Sequence, residues 1–156
     1  MAIADMFLKV TSKTAGELKG EARDADHKEE IDVVSWSWGA RSQGYGGAGH
    51  RTYETVDVVK RVDSASTGLL AALANNAVCA AKLTVRKAGK TPAEYLIIDL
   101  EKVKISSIDL ESRESELFER VKLAFEKITV TYRKQAADGT LGGAMTFSDD
   151  RRPQGS

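Results

Sequence analysis

Asp24-Ala25-Asp26-His27-Lys28-Glu29-Glu30-Ile31-Asp32-Val33-Val34-Ser35-Trp36-Ser37-Trp38-Gly39 is an acidic segment that runs directly into a strand. The β-branched and aromatic residues from Ile31 to Trp38 favour extended backbone. In an uninterrupted strand, side chains alternate between two faces. Val34, Trp36 and Trp38 then share one face, and Ile31, Val33, Ser35 and Ser37 share the other. Two indoles bring more apolar area than any other pair in the chain, so the face of Trp36 and Trp38 is expected to be the core face. The opposite face is apolar at its start and hydroxyl-lined at its end, which fits neither plain solvent surface nor a second core.

The flanking sequence reads mainly as strands. Met6 to Thr11 opens as one, and Thr52 to Val62 as another, with Val56 and Val58 on one face. Ala81 to Lys87 alternates cleanly, and Ala88-Gly89-Lys90-Thr91-Pro92 carries turn residues. From Tyr95 to Leu110 the apolar phase slips twice: Leu96, Ile98 and Leu100 agree, then Val103 and Ile105, then Ile108 and Leu110. One-residue slips mark bulges or bends, which curl a sheet towards a barrel. Cap candidates at 63–67, a Leu/Ala run and the Asn75-Asn76 pair predict one short helix over about 64–76. Leu117 to Tyr132 fits both periods, and its first half favours a helix on spacing alone. Ala144 to Phe147 is expected to be a last short strand. The domain is expected to span 1–148, with 149–156 a flexible tail.

The 156 residues carry 23 Lys plus Arg against 23 Asp plus Glu, which fits one globular domain. A balanced, interspersed charge argues against nucleic-acid binding, which needs a basic face, and leaves little repulsion between copies. The longest apolar run, Leu69 to Ala74, is far too short to predict membrane insertion. The start Met1-Ala2-Ile3-Ala4-Asp5 shows no basic leader. The expectation is a protein folded in the cytoplasm and, if secreted, exported without a signal peptide.

Little in the sequence points to bond chemistry. Gly44-Tyr45-Gly46-Gly47-Ala48-Gly49 satisfies a dinucleotide fingerprint literally, but a strand resumes at Thr52 where that fingerprint needs a helix. The glycine-rich stretch 39–50 is instead a long loop, and loops of this length tend to be functional. His27 and His50 have no metal-ligand spacing, and His27 is expected to form a local ion pair with its acidic neighbours. Cys79 reads as a buried, inert thiol. No catalytic residue, metal or cofactor is assigned.

At Asp24 to Gly39 the chain resembles the haemolysin-coregulated proteins, the tube proteins of type VI secretion. The likeness continues through Lys82-Leu83-Thr84-Val85-Arg86-Lys87-Ala88-Gly89, Glu94-Tyr95-Leu96-Ile97-Ile98 and Val121-Lys122-Leu123-Ala124-Phe125-Glu126-Lys127-Ile128. The resemblance implies a compact β-barrel of two curved, mostly antiparallel sheets with one flanking helix. It also implies that 119–133 is a strand, against the helical preference above. Further, it implies closed six-membered rings that stack into a secreted, non-enzymatic tube. Its partners would be further copies of itself, type VI effectors in the lumen, and spike, sheath or baseplate components.

In such a ring Ser35 and Ser37 are expected to line the channel with small hydroxyls. The loop bearing Arg41, Gln43, Tyr45 and His50 is expected to reach a neighbouring subunit or ring, and exposed strand edges to close the ring. The alternatives are a monomeric β-barrel that carries a ligand inside, or a bacteriophage tail-tube protein.

Overall fold

The structure is a computed structural model that describes residues 4–42, 44, 51–87 and 93–151. The strands are β1 (Ala4–Ser12), β2 (Gly16–Glu17), β3 (Ile31–Ser37), β4 (Ala40–Ser42), β5 (Arg51–Tyr53) and β6 (Val56–Arg61). After the helix α1 (Ser66–Ala74) come β7 (Cys79–Lys87), β8 (Ala93–Arg113), β9 (Glu116–Ala124), β10 (Lys127–Gln135) and β11 (Leu141–Asp150). Neighbouring strands follow the order β8-β7-β1-β3-β6-β9, and β9 pairs back onto β8, so the sheet closes into a barrel. β10 and β11 extend it outward from β8.

Closure depends on the length of β8 and its bends. Its first part pairs with β7 and β10, and its second part with β9. The two phase slips seen in the sequence fall where the strand turns. Lys102 adopts φ 53° between the buried Leu100 and Val103. The register with β9 then shifts between Ile105 and Ser107. Each irregularity changes which side chain points inward without ending the strand.

The helix lies within the expected span. The Asp63 side chain accepts the Ala65 amide N–H at 2.9 Å, and Asn76 at φ 52° ends the last turn. Leu69 and Ala72 face the barrel core. Beneath the helix start lies a buried polar knot. Lys60 and Glu119, both fully buried, form an ion pair, and the Lys60 ammonium also donates to Ser66 Oγ at 3.2 Å and contacts Asp63 Oδ1 at 2.9 Å.

Three expectations change. Residues 116–124 form strand β9, as the resemblance implies and against the helical spacing of Leu117, Phe118, Val121 and Phe125, because Val121 and Leu123 point into the barrel on alternate positions. The last strand is longer than Ala144–Phe147 and includes 149 and 150, since β10 pairs with it from Arg133 back to Lys127 and, past a register shift, at Gln135. In β3, Ile31 and Val33 are core residues, while Val34 is 39% exposed. The register with β6 shifts between Val33 and Ser35. That bulge at Val34 reverses the parity assumed for the start of the strand and leaves that of Ser35 to Trp38 in place.

Candidate functional site

The functional surfaces are sought where the barrel leaves strand faces and edges open. The first is β3. Beyond the bulge, Trp36 and Trp38 are half-buried and pack against the core cluster, while Ser35 and Ser37 are exposed. Trp38 sits at one mouth of the barrel, with Tyr53 and Phe125 at ring-centroid distances of 5.6 Å and 6.4 Å. Its indole N–H donates to the Glu54 carbonyl at 3.0 Å.

The serine face continues across the sheet in cross-strand rows. Ser37 lies beside Asp57, which lies beside Lys122 and then Ser107; Ser35 leads to Val59, Arg120 and Asp109. Hydroxyls therefore stand at both ends of the Ser37 row but at only one end of the Ser35 row. The rest carries charges of both signs, including the Asp57–Lys122 pair at 3.9 Å.

The second surface is the β4–β5 hairpin. Ala40, Arg41 and Ser42 pair with Tyr53, Thr52 and Arg51, so a ladder occupies both ends of the glycine-rich stretch. Arg41 is exposed and bridges to Glu54 at 3.0 Å. Gln43, Tyr45 and His50 lie outside the described residues. The hairpin is tied to the end of β11 by Asp149, whose carboxylate accepts hydrogen bonds from the Arg51 guanidinium and the Tyr53 hydroxyl. Those bonds, Arg51's first, hold the Asp149 carboxyl below the ordinary range.

The third surface is the face of β10 and β11. Cross-strand partners place Leu8, Leu83, Ile98, Val130 and Phe147 in one row, and Met6, Val85, Leu96, Tyr132 and Met145 in the next. Leu8, Leu83 and Ile98 are buried, Val130 is half-buried, and Phe147 is 49% exposed. In the second row Val85 is buried, but Tyr132 is 43% and Met145 64% exposed. The inner face of the barrel thus runs past its closure point and emerges as an uncovered apolar overhang beside an open strand edge.

His27 holds a different place. Its ring stacks on Phe7 at 4.4 Å, and its nitrogens lie 2.9 Å from Glu30 and 2.6 Å from Glu94. The Arg86 guanidinium lies over the Phe7 ring, 4.9 Å from its centre, and pairs with Asp24. The acidic histidine segment is therefore a strap over β1 and β7. Burial pushes the Cys79 thiol pKa up, which keeps it protonated and unreactive.

Comparison with known proteins agrees with this architecture. The family model described as "Type VI secretion system effector, Hcp" matches residues 7–132. Protein hcp1 of Pseudomonas aeruginosa is 39% identical over 149 residues, covering 89% of each chain. The chain belongs to the Hcp family of type VI secretion. Two solved Hcp-type structures superpose over nearly all of this Hcp chain. Hcp1 from Salmonella typhimurium has 27% identity and a TM-score of 0.77, covering 96% of this chain and 95% of its own. A type VI secretion system effector from Yersinia pestis has 26% identity and a TM-score of 0.75, covering 94% and 99%.

Several surface residues of this Hcp chain carried no signal that sequence reading alone could use. Asp149 reads in the sequence as part of a tail, and only the pairing of β11 brings it to Arg51 and Tyr53. Tyr132, Met145 and Phe147 alternate as any buried strand would. Among the described residues β11 has no further strand beside it in the sheet order, and these side chains lie exposed.

Proposed function

We propose that this Hcp chain is a tube subunit, with copies joining side by side into closed rings of six that stack into a hollow, secreted tube. The observation that carries the reading is the β10–β11 overhang. It is a core-type face, continuous with the barrel interior and bare at Tyr132, Met145 and Phe147. A second copy laid against it removes that apolar area from water, at about 25 cal/mol per Å². The open edge of β11 adds unpaired backbone donors and acceptors to the same contact. A head-to-tail contact of this kind yields a ring when its rotation closes.

In this arrangement Ser35 and Ser37 face the channel, together with the charged rows they begin. Cargo then meets a wettable wall of hydroxyls and paired charges with no broad apolar surface to trap it. Arg41 and the segment joining β4 to β5 reach the adjacent ring. The role is mechanical: rigidity, a channel and cargo retention, with type VI effectors inside and spike, sheath or baseplate components around the tube. A ligand carrier is the weaker reading, because fully buried Leu8, Ile31, Val58, Leu69 and Leu123 fill the barrel interior.

Native mass spectrometry and negative-stain electron microscopy test this together. Six-copy particles with a central hole are expected, while a protein that stays monomeric at high concentration would contradict the ring. Replacing Ser37 by Trp is expected to preserve the ring and impair effector retention. A monomeric or unfolded Ser37→Trp product would mean that the residue does not face the channel.

A further inference from the structure

The root of the β4–β5 hairpin is held in a way that the ring itself does not require. A two-stranded ladder this short is not stable on its own in water. Beyond its connections at Gly39 and Glu54, it makes a polar contact with the rest of the described fold through Asp149. The Arg51 guanidinium meets that carboxylate with two of its nitrogens, one of them at 3.0 Å from Oδ1. The Tyr53 hydroxyl donates to Oδ2. A forked pair of this type fixes direction as well as distance. Tyr53 is held from its other sides by Trp38 and Phe125, at 5.6 Å and 6.3 Å, and by the Arg151 guanidinium 5.9 Å from its ring centre. Asp149 lies on β11, outside the closed barrel, so the barrel core does not depend on it.

We propose that Asp149 is a positioning residue that sets the direction in which the β4–β5 hairpin leaves the barrel, so that the hairpin meets the next ring already ordered. Pre-ordering removes from the stacking step the entropy of fixing the hairpin. The inference rests on the stacking role proposed above for the segment between β4 and β5.

Its test compares four full-length proteins: wild type, Asp149→Ala, the charge-swapped Arg51→Asp/Asp149→Arg, and a chain lacking residues 43–50. Hydrogen exchange at the amides of 40–42 and 51–53 reports the hairpin, and electron micrographs report rings and stacks. In Asp149→Ala, hairpin exchange is expected to rise about tenfold or more while β1 and β7 keep wild-type protection. Rings persist, the stacked fraction falls towards that of the deletion, and the charge swap recovers part of both readouts. Unchanged hairpin exchange in Asp149→Ala would overturn the inference. So would a loosened hairpin with wild-type stacking while the deletion abolishes stacks. A deletion that stacks normally would remove the stacking role itself, and the inference with it.

Discussion

Leu8, Leu83 and Ile98 occupy one end of a cross-strand row and Phe147 the other, on the same face of the same sheet, yet only the first three are buried. Inside the closed barrel, opposite strands cover the row. Beyond β8 none of the described residues covers its outer end, where Phe147 is 49% exposed. The residue types barely change along the row, so burial here is decided by topology, and the uncovered end is where we propose that a second copy completes the fold. The two regions should therefore respond differently to the same kind of substitution.

The largest effect is expected inside the barrel, where Lys60→Ala leaves Glu119 buried without its cation. The loss should be about 3–5 kcal/mol in chemical denaturation; a loss below about 1 kcal/mol would show that the knot under α1 is not under strong desolvation. Leu83→Ala, in the covered part of the row, should cost about 2–5 kcal/mol. Phe147→Ser, at its bare end, should change the stability of the separated subunit by no more than about 1 kcal/mol while weakening association. Equal destabilisation by these two variants would erase the distinction between covered and bare ends.

A smaller effect is expected from pH at the hairpin. The carboxyl of Asp149 is held below its ordinary value, chiefly by the hydrogen bond from Arg51. A lowered folded-state value means that the clamp's contribution is complete above the unfolded value, near about 3.9, and is lost as pH falls through the lower folded value. The difference in hairpin exchange between wild type and Asp149→Ala should therefore be constant from neutral pH to about 5 and shrink below about 4. The smallest effect is a gain. Glu114 and Ser115, between β8 and β9, adopt φ 48° and 71°, and Ser115→Gly should add about 1 kcal/mol by relieving the left-handed backbone.

Much of this fold could be read from the sequence, because the phase slips at 100–103 and 105–108 are themselves the bends that close the barrel. The helix was legible from its Leu/Ala run and the Asn pair that ends it. The β9 segment was not, since Val121, Phe125 and Ile128 satisfy a helical period as well as they satisfy a bulged strand. The start of β3 was misread because an extra residue at Val34 reverses parity, and parity counting assumes an unbroken ladder. The proposed assembly surface is the least legible part. Met145 and Phe147 look like core residues in sequence, yet they are exposed on β11, beyond which the described residues place no strand.

Sedimentation velocity on wild type beside the Met145→Asp/Phe147→Asp variant bears most directly on the claim that a second copy covers the overhang. Wild type is expected to sediment as a closed six-copy ring, and the variant as a folded single subunit whose separated-state stability is nearly unchanged. A variant that still sediments as the ring would contradict the claim, as would a wild type that sediments as a single subunit.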